Sequence, residues 1–200
     1  MTKVKKSSIL LTCLLLALLC GLLFYIDGNA SKYIIRITRL CAINIVLALS
    51  MNLVNGFTGI FSLGHAGFMA IGAYTVALLT IPVAKKETIF MLEPLIAPLN
   101  TLTLPFGAAL IIGGLLAAAL AFLIGLPCLR LRGDYLAIAT LGFSEIIRIV
   151  ITNAQSLTNG AQGLKSIPAT ANIWWCYGVA LATIVFIALL ISSSYGRAFK

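Results

Sequence analysis

Charge is what this sequence lacks. Only 10% of its 200 residues are charged and only 5 are acidic, while 61% are hydrophobic. Ordinary soluble domains carry about a quarter charged residues, so a soluble globular fold is excluded and a polytopic membrane protein is indicated. Histidine occurs once, at His65, with no Cys, Asp or Glu at ligand spacing, which argues against a zinc centre. The five cysteines form no CxxC pair and fall in or beside apolar runs, so they read as buried free thiols acting as small hydrophobes. No Gly-Lys-Ser/Thr ending follows a strand anywhere. The turn Thr158-Asn159-Gly160-Ala161-Gln162-Gly163-Leu164 is therefore not a phosphate cradle, and the chain has no nucleotide site or cofactor of its own. The net charge of +9 is spread over the ends of apolar runs, with no basic stripe interleaved with aromatics. That placement fits topology setting and anionic lipid, not nucleic acid.

What is present is a set of apolar runs separated by short polar stretches, expected to form about six transmembrane helices in one domain over residues 1–200. Ile9 to Ile26 follows Lys3, Lys5 and Lys6. It is longer than a signal-peptide core, no small-x-small site follows it, and Leu19 precedes Cys20 where lipoprotein cleavage needs a small residue, so an uncleaved first helix is expected. Lys32, Arg36 and Arg39 mark the next boundary, and further spans are expected over residues 40–55, 66–81, 104–126, 135–151 and 173–191. Pro127 stops the fourth, and Trp174, Trp175 and Tyr177 open the sixth as an interfacial belt. A cytoplasmic N-terminus places Lys3, Lys5, Lys6, Arg130, Arg132, Arg197 and Lys200 inside against six outer cations, a small bias carried by two compact inner clusters.

The chain is organised around Asn52 to Leu79. No Asp, Glu, Lys or Arg occurs from 40 to 84, yet the run is interrupted by Asn52, Asn55, Gly56, Thr58, Gly59, Ser62, Gly64, His65, Gly67 and Gly72. Unwound backbone survives at membrane depth only when it is buried in protein or lines a wet cavity. A Gly-broken helix with Asn and Ser beside it marks a pathway candidate, and Asn52, Asn55, Gly56, Gly59, Ser62, Gly64 and His65 are its residues. Thr58, Ser62, Ala66 and Ala70 recur every fourth residue and predict a small-residue stripe for close helix packing; Gly113, Ala117, Ala121 and Gly125 predict another. Ser62 and His65 also permit a nucleophilic pair three apart on one helix, hence an intramembrane protease. That reading lacks a G-x-S-x-G elbow and a carboxylate to orient the histidine, and His65 bonding backbone freed at the break is favoured. Glu145 and Arg148 are the one ionisable pair well inside a span. At i,i+3 they neutralise each other, and a structural ion pair is favoured over a proton relay because the arginine holds the carboxylate ionised.

Three stretches in order, Gly59 to Tyr74 (GIFSLGHAGFMAIGAY), Leu129 to Arg148 (LRLRGDYLAIATLGFSEIIR) and Leu157 to Leu164 (LTNGAQGL), resemble the membrane permease of bacterial branched-chain amino acid ABC importers, closer to the M-type than the H-type. The resemblance covers residues 40–200. It implies an all-α, multi-pass inner-membrane subunit that is not an enzyme, a paralogous permease as partner, two cytoplasmic ABC ATPases that bind the ATP, and a periplasmic or extracellular amino-acid-binding protein. Where the family usually has Thr-Gly-Gly, this chain has Thr158-Asn159-Gly160, and Asn also tolerates a left-handed turn. Tyr195, Gly196 and Arg197 match the opening of the ATPase-docking loop. The chain stops at Lys200, so it is expected to be the N-terminal part of such a permease, truncated before the docking helix. Urea- and amide-transporting relatives, an ion-coupled carrier and a non-transporting scaffold remain open at this point.

Overall fold

In the computed structural model the described residues are 6–90, 95–97, 99–131, 133–194 and 196, with side chains described from 14 onward. Helix is the regular structure among these residues, with no strand among them. In order come α1 (Lys6–Asn29), α2 (Lys32–Met51), a π-helical turn (Asn52–Phe57), α3 (His65–Thr80), α4 (Val83–Ile89), α5 (Phe106–Cys128), α6 (Asp134–Asn153), the short α7 (Gln155–Thr158), a 3-10 turn (Gly160–Gln162) and α8 (Ile173–Ser192). Lipid offers the backbone no hydrogen-bond partners, so each apolar run satisfies its own by coiling into a helix.

Among the described residues, four helices are long and apolar enough to cross a membrane by themselves: Lys32–Phe57 including the π turn, Phe106–Cys128, Asp134–Asn153 and Ile173–Ser192. Of the other two expected spans, the first coincides with α1, a 24-residue helix whose side chains are described over Leu14–Asn29. The third coincides with α3, which has 16 residues and joins α4 through a bend of 119°. At about 1.5 Å per residue α3 reaches roughly 24 Å, short of the ~30 Å hydrocarbon core.

Two boundaries shift from their sequence positions. The second helix begins at Lys32, so Lys32, Arg36 and Arg39 lie within α2 and do not precede it. Their spacing of four and three keeps them on one helical face, where cations do not interrupt coiling. Pro127 sits in the last turn of α5, which ends one residue later; the Leu129 N–H then bonds back to the Gly125 carbonyl at 2.8 Å.

Contacts group the described residues into two units, one drawn from 6–50 and 171–196 and the other from 51–170. In the first unit the Tyr177 hydroxyl of α8 donates to the Thr38 carbonyl of α2 at 3.3 Å, so this ring does not serve the interfacial belt alone. The expectation of buried thiols needs correction: the described cysteines are free, but only Cys128 is buried, while Cys20 and Cys41 are exposed and Cys176 is intermediate. A thiol is apolar enough to sit on a lipid-facing surface without a partner.

The second unit is built on α3. Gly113 of α5 lies so close to α3 that an added Cβ would stand 2.8 Å from Val76 Cγ2 and 3.1 Å from the Gly72 carbonyl oxygen. Near the other end of this pairing the Leu104 N–H bonds the Leu79 carbonyl at 2.8 Å. Residue 72 thus faces 113 while 79 faces 104, so α5 runs antiparallel to α3. On α6, Thr140 faces Gly64 and Ser144 faces Gly67, so α6 runs parallel to α3. The expected stripes are only partly the contact surfaces. Ala109 and Gly113 are buried, but nothing lies within 4 Å of a Cβ at Gly125. Thr58 and Ser62 precede α3, so they cannot extend a helical stripe into Ala66, which is exposed while the next residue, Gly67, is buried.

Residues from α4 and from two connections, the one before α5 and the one before α8, pack on α3. Leu78, Phe90 and Leu95 form a buried cluster joined by Ile89, Leu99 and Leu164. Lys86 of α4 is 1% exposed; its ammonium donates to the Leu99 carbonyl at 2.6 Å and the Leu102 carbonyl at 2.7 Å. Glu93, Pro94 and Pro98 of this connection lie outside the described residues.

Candidate functional site

The Gly-rich interruption is a real change of backbone. The helix widens into the π turn over Asn52–Phe57 and then stops, and residues 59–63 carry no helix before α3 begins at His65. π-helical turns sit disproportionately at functional positions because they shift side chains off the regular register. The interrupted backbone finds local partners. The Thr58 hydroxyl donates to the Val54 carbonyl. Asn55 Oδ1 accepts the Ser62 N–H at 3.2 Å, stitching the π turn to the end of the unwound segment. Ser62 Oγ accepts the Gly64 N–H at 3.5 Å. Thr140 Oγ1 on α6 accepts the Leu63 N–H at 3.1 Å, anchoring the segment to a spanning helix.

The glycines here differ in what requires them. At Gly56 a Cβ would meet only the tip of the exposed Asn52 side chain, which can swing aside. Gly59 has φ +65, the left-handed region that L side chains rarely adopt, with nothing within 4 Å of its Cβ position. Conformation, and no close neighbour, is what demands glycine at 59. At Gly64 a Cβ would sit 3.3 Å from the Thr140 carbonyl oxygen. His65 is the first residue of α3 and half-buried. Ser62 belongs to the unwound segment, so the pair three apart on one helix, which the protease reading requires, does not exist. Among the described residues no three His, Cys, Asp or Glu side chains gather as a metal site.

Asn52, Asn55, Gly56, Gly59, Ser62, Gly64 and His65 therefore occupy one continuous, internally bonded break. Glu145 and Arg148 pair one turn along α6. Arg148 Nε donates to Oε1 and Oε2 of Glu145 at 3.1 and 3.0 Å, and Nη2 donates to Oε1 as well. Their side chains are 50% and 69% exposed. The third motif is a compact turn. Asn159 takes the left-handed conformation at φ 61, as its tolerance for that region allows, and its Nδ2 bonds the Gly163 carbonyl at 3.0 Å. Thr158 Oγ1 donates to the Ile151 and Ala154 carbonyls, and Thr158, Asn159 and Gly160 are buried. Beyond the turn, Leu164 and Ile167 line a cavity of about 170 Å³ with Ala73, Tyr74 and Ala77 of α3. Gly196 is buried against the Ile191 backbone, whereas Tyr195 and Arg197 lie outside the described residues.

Sequence reasoning did not find Lys86 or Thr140. A threonine inside an apolar span is a legible signal, since its hydroxyl needs a partner. Lys86 carries none, because its acceptors lie 13 and 16 residues ahead in a loop.

Apolar helices long enough to span a membrane, together with an unwound, internally bonded segment, define a multi-pass helical membrane protein. The chain belongs to the family described as branched-chain amino acid transport system / permease component, whose model matches residues 33–200. It is 44% identical over 138 residues to the high-affinity branched-chain amino acid transport system permease protein LivM of Escherichia coli (strain K12), and 42% identical over 138 residues to LivM of Salmonella typhimurium (strain LT2). Each match covers 69% of this chain and 28% of the relative, so the chain spans little more than a quarter of the relatives' length. No solved structure matches.

Proposed function

We propose that this chain contributes transmembrane helices to the permease of an ATP-driven importer of leucine, isoleucine and valine. The observation that supports this reading most is the family match over residues 33–200, reinforced by relatives named for branched-chain amino acid transport. No other substrate is named among them, so urea and short amides are not favoured. The path would form between this subunit and a paralogous permease. Two cytoplasmic ATPases would supply the energy, and an amino-acid-binding protein would deliver the substrate. Placement in the bacterial inner membrane with a cytoplasmic N-terminus completes the reading.

Within it the break from Asn52 to His65 borders the path. Unwound backbone offers carbonyl and amide groups to a polar solute where a continuous helix offers none. Gly59→Leu is expected to insert normally and to lose most leucine uptake, because a left-handed residue with a branched side chain costs about 1–2 kcal/mol and redirects the segment. Uptake at the wild-type rate by that variant would remove the break from the path.

The primary experiment compares uptake of labelled leucine and labelled urea in cells with the full-length gene deleted and then restored. Loss and recovery of leucine uptake alone is the expected result. Loss of urea uptake alone would reassign the substrate, and collapse of uptake by an uncoupler with ATP still high would replace the ATPase coupling with an ion-coupled carrier.

A further inference from the structure

The Glu145–Arg148 pair has a setting that a purely structural ion pair does not need. Glu145 lies roughly 2 Å and Arg148 about 7 Å along the axis from the midpoint of Asp134–Asn153, at about 1.5 Å per residue. Charged groups at this depth are expensive in hydrocarbon and normally face a bundle interior or a water-filled cavity. Here both side chains are at least half exposed. The neighbouring α6 residues Thr140 and Ser144 meet the end of the break and the start of α3, so with α6 parallel to α3 the pair lies about one and a half to two turns beyond the unwound segment, alongside α3.

The pair also retains bonding capacity. Glu145 engages Nε and Nη2 of Arg148, leaving the Nη1 protons and one Nη2 proton of the guanidinium outward. Oε2 accepts a single bond in the pair and keeps a free lone pair. Ile138 and Leu141, both exposed, precede Glu145 on the same face at helical spacings of three and four. A positive group, a negative group and an aliphatic strip thus share one uncovered face near mid-membrane.

We propose that Glu145 and Arg148 hold the zwitterionic main chain of an α-amino acid in transit, the guanidinium taking its carboxylate and the glutamate its ammonium, with the aliphatic side chain against Ile138 and Leu141. The proposal rests on the importer reading above. Pair and ligand are each neutral, so loading the site brings no net charge to membrane depth. Because the two protein charges already satisfy each other, the ligand is held weakly enough to leave.

The test uses the complete transporter and labelled leucine, with membrane yield, thermal stability and co-purification of the partner permease measured in parallel. The double exchange Glu145→Arg with Arg148→Glu preserves an ion pair but reverses its polarity. Expected is wild-type yield with uptake at least tenfold down. Arg148→Lys and Glu145→Gln are each expected to insert normally and to lose uptake severalfold, since lysine lacks the planar fork and glutamine the charge. Wild-type uptake by the exchanged variant, or by both single variants, overturns the proposal. Loss of folded protein in all three also overturns it, making the pair structural, and loss of the partner permease on purification reassigns it to a subunit seam. Failure of the importer reading shows differently, because the wild-type transporter then takes up no leucine.

Discussion

Lys86→Met should unfasten the connection between α4 and α5. Methionine matches the length of the lysine stem and fills the same space, so the change isolates the ammonium. Two short bonds, to the carbonyls of the half-buried Leu99 and the exposed Leu102, disappear. Hydrogen bonds to charged groups contribute about 1.5–3 kcal/mol, so a loss of about 2 kcal/mol is expected. The readouts are thermal stability of purified protein and amide exchange over residues 95–105, which should accelerate while α6 remains protected. Unchanged exchange in that segment would mean that the apolar cluster of Leu78, Phe90 and Leu95 holds the connection without the lysine. Lys86→Arg is not a rescue, because a planar guanidinium does not fit a site shaped for a compact ammonium.

Gly113→Leu and Gly114→Leu should behave as opposites although the residues are adjacent. At 113 the first carbon alone stands 2.8 Å from Val76 and 3.1 Å from the Gly72 carbonyl, and that oxygen belongs to helix backbone that cannot swing aside. Lipid gives helices no hydrophobic reason to associate, so close backbone approach is what holds α3 on α5. Overpacking there is expected to cost about 3 kcal/mol or more and to abolish stable, correctly assembled protein. At 114 nothing lies within 4 Å, and leucine is expected to be tolerated or slightly stabilising because it replaces a poor helix former. Membrane yield and detergent-resistant melting of the two variants settle this, and equal behaviour would remove the α3–α5 contact as described.

Helix positions were legible from residue order alone. The expected runs at 104–126, 135–151 and 173–191 became Phe106–Cys128, Asp134–Asn153 and Ile173–Ser192, because apolar chain in lipid has one local solution. The interruption at Asn52 to His65 was legible too, since glycines and amides at membrane depth demand an explanation. The family was legible in three short motifs, and the match over residues 33–200 agrees with them.

What the order of residues did not carry was the identity of the contacts. Spacing nominated Ala66, Gly113 and Gly125 alike, whereas packing uses Gly113 and the un-nominated Gly67 and leaves Gly125 without a close neighbour. Small residues lie on several helical faces, and only the neighbouring helix determines which of them is needed. Lys86 read as one more cation in a polar connection until two distant carbonyls enclosed it. Glu145 and Arg148 were predictably paired by local geometry, but their exposure depends on which elements fail to cover α6. Sequence by itself therefore determined that this chain is helical and membrane-embedded, with an interruption after Asn52, because hydrogen bonding in lipid is a local constraint. Tertiary structure alone decided which glycines are contacts, which cation is buried and which charges stay open, because those depend on residues far apart in the chain.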